Sequence, residues 1–365
     1  MMSHSQDLTL SWSSRRYAEL SAITPKGNVT NTTIEMLQSS MLQITLPILF
    51  SIIFSISVPL NCVSLWFLWW YSRPWTPIIM FSINLTIADL LYSMLLPFQI
   101  IYHLKKNNWL FGDALCRVIT VLFYGNMHCS MLTMMSISIE RYLGIVHPLH
   151  YKAMRPIRTS ILTCIVIWAL VLLPLIPLMK HNLTIHVQQL SIITCFDVLP
   201  QNMFSGKKHF IAYFGSKTFF FFFLPLIVMG FCYISIIRTL LHSSSTQLRE
   251  SKRHTVHLII VLLVVLSICY LPHIVISAVH YAYSFHNKSI YVEYKLSLVM
   301  NSFNCCFDPL VYYFGSKEFR RKIQEKLCRC VVGSFSENTP IFSEHDMQIT
   351  PIGNVPKKQC WNIIN

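Results

Sequence analysis

The sequence predicts an all-α fold, a seven-transmembrane helix bundle followed by a short amphipathic cytoplasmic helix. Three observations carry this prediction. Of the 365 residues, 53% are hydrophobic and only 12% are charged, about half the ~25% charged share of soluble domains. The apolar residues gather into seven stretches, each long enough to cross the ~30 Å hydrocarbon core of a bilayer as a helix. The basic residues gather in alternate connecting segments, as the positive-inside rule requires of cytoplasmic loops. The formal net charge of +14 is therefore read as loop charge. No nucleic-acid partner is expected, because no basic stripe lies outside the loops and tail.

Residues 1–40 form the expected extracellular, glycosylated N-terminus. They are rich in Ser, Thr and Asn and are read as disordered. They contain sequons at Asn28 and Asn31 but no apolar h-region of a cleaved signal peptide, so the first span is expected to act as signal anchor. Residues 41–315 form the seven-transmembrane domain, with spans near 43–70, 78–104, 113–145, 159–179, 209–240, 253–282 and 292–314. Turn and charge signals separate them, from Arg73-Pro74 to the segment Ser284 to Lys288. In residues 316–330, Phe319, Ile323 and Leu327 recur on one helical face with basic residues between them. That pattern fits an amphipathic helix in the cytoplasmic interface. Cys328 and Cys330 follow as palmitoylation candidates. Residues 331–365 form a polar cytoplasmic tail, read as disordered.

Two signals agree on orientation. With seven spans, the sequons at Asn182 and Asn287 fall on the side of the N-terminus, and glycosylation marks that side as outside. The opposite side holds Lys152, Arg155, Arg158, Arg238, Arg249, Lys252 and Arg253, the mark of the cytoplasm. Asn84 also begins a sequon, but it lies within a span and is discounted.

The third span has Cys116 near its start and Glu140-Arg141-Tyr142 near its end. These ends lie about 37 Å apart along an ideal helix, on opposite sides of a bilayer. Of the twelve cysteines, Cys116 and Cys195 are the only two assigned to extracellular segments. A disulfide between them would pin the long second extracellular loop over the bundle mouth. No cysteine pair has metal-ligand spacing.

Asp89 and Asp308 lie inside spans, where an uncompensated carboxylate is costly. Asn61, Ser130 and Asn304 offer oxygens at similar depth. A small monovalent cation such as sodium fits this set, and so does a hydrogen-bonded polar knot with one protonated carboxyl. Lys217 lies about two turns inside the fifth span. With Lys295, His128, His273 and His280 it would make a basic outer cavity, and an anionic ligand is the complement of such a cavity. A single core histidine is commonly satisfied internally, so this expectation rests on the lysines. Pro59, Pro97, Pro225, Pro272 and Pro309 fall inside spans, where they kink helices. A transporter or channel would show repeats, broken helices or pore rings. An intramembrane enzyme would need a convergent nucleophile and base. The sequence shows none of the transporter or channel features, and although Asp89 and Asp308 could mimic an aspartyl dyad, the remaining motifs argue against an enzyme.

Asn61, Leu85-Thr-Ile-Ala-Asp89, Trp109-Leu-Phe-Gly112, Glu140-Arg141-Tyr142, Trp168, Pro225 with Tyr233, Cys269-Tyr270-Leu271-Pro272 and Asp308-Pro309-x-x-Tyr312 resemble the motifs of rhodopsin-like (class A) G-protein-coupled receptors. The resemblance covers roughly residues 40–330. Phe123-Tyr124-x-Asn126, Leu96-Pro97-Phe98-Gln99-Ile100, Ile193-Thr-Cys-Phe-Asp197 and Tyr294-Lys295-Leu296 are similar to the purinoceptor-like branch. That branch also holds protease-activated and lysophospholipid receptors. The resemblance implies a plasma-membrane receptor, not an enzyme, that activates heterotrimeric G proteins, by analogy those that activate Rho. Arrestin, receptor kinases and membrane lipid are the further implied partners. Arg141 would engage the G protein between Glu140 and Tyr142. Tyr233, Tyr270, Pro272, Pro309 and Tyr312 would take part in activation. Asp89, Ser130, Asn304 and Asp308 would hold sodium as an allosteric modulator, with no other cofactor. Tyr124 is expected among the ligand contacts.

Departures from the family's patterns narrow the ligand. Nucleotide receptors carry a His-x-x-basic pair in the sixth span. Here the string is His273-Ile-Val-Ile, and Ser277 occupies the expected basic position. The expected ligand is therefore an anion, lipid-like or a lipid conjugate, with a nucleotide as the alternative.

Overall fold

The structure, a computed structural model, describes residues 15–27, 29, 31–153, 157–197, 207–242, 256, 259–284 and 290–315. Asn28, Asn287, Cys328, Cys330, the 316–330 amphipathic segment and the 331–365 tail lie outside the described residues.

The chain opens with α1 (15–23), β1 (Lys26–Gly27) and α2 (Asn31–Leu37). The first span is α3 (Ser40–Tyr71), and the second is α4 (Pro77–Ser93) with α5 (Leu96–Leu104). α6 (Asp113–Val146) is the third, followed by the short α7 (Pro148–Ala153). α8 (Ile157–Leu172) and α9 (Ile176–Lys180) make the fourth, and β2 (Thr184–Val187) and β3 (Ile192–Cys195) follow in the loop. α10 (Lys207–Thr218) and α11 (Leu224–His242) make the fifth. The sixth is α12 (259–265) with α13 (Leu271–Ser284). The seventh is α14 (Tyr291–Ser302) with α15 (Asn304–Gly315).

Six of these spans are long and apolar enough to cross a membrane by length and composition. The seventh is two stacked helices broken at Phe303, with Glu293 and Lys295 in the first of them. At ~1.5 Å per residue the pair covers about 37 Å, enough to span. Apolar side chains such as Ile48, Val63, Leu162, Ile165 and Ile227 point away from the bundle, as a lipid-facing surface requires.

The third span is the centre of the bundle. In its apolar window 78% of residues are buried, against 22% in the fourth. It packs on α4, α8 and α11. Polar bonds fix the register. Asn84 donates to Thr133 Oγ1 at 3.0 Å, and Trp168 Nε1 donates to Asn84 Oδ1 at 2.8 Å. Asn84 thus joins spans two, three and four from a buried position.

The N-terminal segment differs from its expected disorder. Residues 15–27 and 31–37 are ordered over the β-hairpin between the fourth and fifth spans. β2 and β3 pair antiparallel, and β1 adds to β2 in parallel, with Lys26 opposite His186. Leu20, Met36 and Leu37 are buried, the last two packing with Val187. Polar composition averaged over forty residues hides these few apolar anchors. The hairpin edge supplies backbone partners as well, since His186 N–H donates to Pro25 O at 2.9 Å. Gly27 is needed for this approach, because a Cβ there would meet Ile185 Cγ2 at 2.9 Å.

Candidate functional site: two cavities and a polar centre

The mouth on the N-terminal side of the bundle is built from the start of the third span. Gly112 has φ 82°, a conformation open to glycine at little cost. Its carbonyl accepts from Trp109 Nε1 at 2.7 Å. One turn further, Cys116 is joined to Cys195 by a disulfide with a Cα–Cα distance of 5.8 Å. Asp113 Oδ1 accepts from Leu183 N–H at 2.7 Å and from Thr184 N–H and Oγ1 at 3.0 Å. One span thus holds both ends of the hairpin. Asp113 is not among the residues singled out from the sequence, although an acid in the first turn of a helix is a recognisable signal.

Two residues past the disulfide, Asp197 is clamped by three side chains. Tyr291 Oη donates to its Oδ1 at 2.7 Å, Tyr102 Oη donates to its Oδ2, and Lys295 Nζ forms an ion pair with it. Burial pushes the Asp197 carboxyl up. The charge and hydrogen bond of Lys295, with the bond from Tyr102, outweigh this and hold it below the usual carboxylate range. A depressed carboxylate contributes stability above its unfolded pKa and loses it only as pH falls through the lower folded value. The clamp is therefore expected to persist at pH 5. Asp197→Asn should destabilise the solubilised receptor by about 3 kcal/mol, the scale of a broken buried pair, equally at pH 7 and pH 5. Thermal unfolding checks this, and a difference that shrinks at pH 5 would contradict it.

The clamp corrects the expected basic cavity. The sequence groups Lys295 with Lys217, but the charge of Lys295 is already neutralised by Asp197. Its wall belongs to a different cavity, lined also by Leu46, Phe50 and Leu298. Lys217 lies in a smaller cavity with Tyr124, His128, His273, Ser277 and Tyr294. His280 stacks on Tyr294 with ring centroids 4.9 Å apart. Helical periodicity in each segment gives no relative rotation of the helices, so it could not separate the two lysines.

Lys217 is 6% exposed. Its Nζ has no hydrogen-bond partner among the described residues. It lies 4.7 Å from the Tyr124 ring centroid, 5.3 Å from Tyr213 and 5.8 Å from Phe214. A π-helical turn over Phe219–Phe223 follows it, a distortion frequent at functional sites. The turn brings Phe221 within 4.4 Å of the His128 ring. His273 meets Ser297 Oγ at 3.1 Å and lies beside Ser277. A second π turn, Leu266–Tyr270, ends two residues before Pro272.

Beneath this cavity is a buried polar centre. Asn126 Nδ2 donates to Asp89 Oδ1 at 2.8 Å, and Asn304 Nδ2 donates to Tyr270 Oη at 2.8 Å. Asn61 Nδ2 donates to the Cys305 carbonyl at 2.8 Å. Asp89 Oδ2, both Asp308 oxygens, Ser130 Oγ and Asn304 Oδ1 have no hydrogen-bond partner among the described residues. Ser130 lies beside Asp308 without hydrogen-bond geometry. Orphaned buried oxygens near two carboxyls suit a hard cation, so Asp89, Ser130, Asn304 and Asp308 fit sodium.

At the opposite end of the third span from Cys116, Glu140 accepts a hydrogen bond from Tyr151 of α7. Arg141 lies beside both. Tyr142 Oη meets His147 Nε2 at 3.0 Å. Tyr233 Oη meets Ser138 Oγ at 2.6 Å, joining the fifth span to the third. Pro309 and Tyr312 lie in α15. Of the remaining candidates, Asn31 starts α2 and Asn182 precedes β2, both exposed.

The bundle has a cavity towards one end and Arg141 towards the other. The chain matches the family model "7 transmembrane receptor (rhodopsin family)" over residues 60–312, and it belongs to that family. It is 39% identical to purinoceptor 8 of Gallus gallus, over 89% of this chain and 92% of the relative. It is also 39% identical to the S-geranylgeranyl-glutathione receptor of Homo sapiens, over 82% of this chain and 84% of the relative. Proteinase-activated receptor 1 of Xenopus laevis is 36% identical, over 82% of this chain and 71% of its own length. The chain is thus a multi-pass plasma-membrane receptor that signals through G proteins, and not an enzyme.

Proposed function

We propose that this receptor binds an extracellular anionic ligand, lipid-like or a lipid conjugate, and activates heterotrimeric G proteins of the Rho-activating class. The observation that carries the ligand class is Lys217, buried among aromatic rings without a hydrogen-bond or salt-bridge partner among the described residues. A buried ammonium of this kind calls for an anion. The likeness to a receptor named for a glutathione lipid conjugate supports the same class. Ser277 beside His273 supplies no second cation for a polyphosphate. Agonism follows if the ligand binds better to the state in which the fifth and sixth spans part at the cytoplasm. Arrestin and receptor kinases complete the partners.

Lys217→Gln is expected to lower the potency of an anionic agonist about 30-fold or more, the ~2 kcal/mol scale of a charge-assisted contact, while Lys217→Arg retains most of it. Concentration–response curves at equal surface expression test this. Equal potency in Lys217→Gln would sink the assignment.

In this reading sodium in the Asp89–Asp308 centre modulates agonist affinity. Replacing sodium by choline should then shift potency in the wild type but not in Asp89→Asn; identical shifts in both would remove sodium from that centre. The N-terminus is extracellular, with glycans at Asn28, Asn31, Asn182 and Asn287. Glycosidase treatment should shift the mobility of the wild type but not of a variant lacking all four Asn, and an unshifted wild type would contradict the glycans. Cys328 and Cys330 carry palmitate, which acyl exchange should detect in the wild type and lose in Cys328→Ser/Cys330→Ser.

A further inference from the structure

The Lys217 cavity encloses about 340 Å³ of empty space, part of it open to solvent. A second cavity of about 650 Å³ lies between the first, second, third and seventh spans. Its wall is mainly apolar, with Leu46, Phe50, Leu96, Phe123, Leu298 and Val299. Apart from Gln99 on its wall, its polar side chains are engaged within the protein. Thr120 Oγ1 donates to the Cys116 carbonyl at 2.8 Å, His103 Nδ1 meets Asn107 Oδ1 at 2.7 Å, and Lys295 is held by Asp197. This cavity therefore presents an apolar interior with little demand for a polar ligand. The two cavities share Tyr124. Its hydroxyl meets that of Tyr294, which lines the Lys217 cavity, at 3.3 Å. One weakly joined tyrosine pair stands between a basic compartment and an apolar one.

We propose that the two cavities are one bipartite site for an anionic amphipath. The head group pairs with Lys217, and the apolar chain passes the Tyr124–Tyr294 pair to lodge between the first, second, third and seventh spans. This rests on the reading of Lys217 as the anion site. It adds a place for the chain, so potency depends on chain length through residues remote from Lys217.

The test uses glutathione thioethers with hexyl, dodecyl and geranylgeranyl chains as probes, read by G-protein activation at matched surface expression. Wild-type potency should rise with chain length by up to about fourfold per buried methylene, the fold-change equivalent to ~0.8 kcal/mol. Leu298→Trp narrows the apolar cavity from the seventh span, and Gln99→Trp does so from the second; if either variant fails to reach the surface, the other decides. Either should weaken the two long-chain probes about tenfold or more, the steric scale of an overpacked site, and leave the hexyl probe unchanged. Lys217→Gln should weaken all three alike. If Lys217→Gln weakens all probes while the Trp variants spare the long chains, the chain lies elsewhere and only the bipartite site falls. If Lys217→Gln changes nothing, or no probe activates the wild type, the anion site falls with it.

Discussion

Arg141→Ala is expected to abolish agonist-driven G-protein activation while leaving the receptor at the cell surface. Arg141 lies near the C-terminal end of the most enclosed helix, beside Glu140 and Tyr151. Glu140 is already held by Tyr151, so the acidic neighbour has a second anchor when Arg141 is removed. Truncating an Arg hot spot at a protein interface costs about 2 kcal/mol or more, some 30-fold in affinity. A loss of that size at the proposed contact with the G protein should reduce the maximal response to background. The measurement is receptor-driven nucleotide exchange on the G protein in membranes of matched receptor density. A wild-type response from Arg141→Ala would place the coupling contact elsewhere.

The second large effect is expected from Cys116→Ser or Cys195→Ser. The disulfide closes a loop across 79 residues of sequence separation, and loop entropy alone assigns such a bond about 4 kcal/mol. Asp113 would still hold the start of the hairpin at Leu183 and Thr184. The end carrying Phe196 and Asp197 would lose its tether, and with it the alignment of the Tyr102–Tyr291–Lys295 clamp. Each single variant and the double variant should show the same deficit, a strong fall in surface expression and in agonist potency. Cell-surface immunolabelling with a concentration–response curve measures both. A double variant markedly worse than either single one would mean that the cysteines act separately.

The seven spans are legible in the sequence because a membrane helix announces itself by an apolar run of about twenty residues, whatever surrounds it. The seventh is the least apolar, and it is built as two helices broken at Phe303. The order of residues 15–27 and 31–37 is not legible, since Leu20, Met36 and Leu37 are few and scattered, and the hairpin edge they cover is distant in sequence. The clamp on Asp197 escapes sequence reading for a related reason. Tyr102, Tyr291 and Lys295 come from two spans, and no local pattern links them to a loop carboxylate. Lys217 can be found because a lysine inside an apolar run has few structural excuses. Which groups share its cavity depends on helix rotation, and that emerges only from packing. The sheet of β1, β2 and β3 likewise requires long-range pairing.

The most direct test of the central claim is G-protein activation across anionic lipids, glutathione lipid conjugates, nucleotides and peptides, in cells expressing the wild type or Lys217→Gln at equal surface density. The account predicts a response confined to the anionic lipid or lipid-conjugate probes and weakened about 30-fold or more in Lys217→Gln, a difference of ~2 kcal/mol. A response to nucleotides or peptides that Lys217→Gln leaves intact would contradict it.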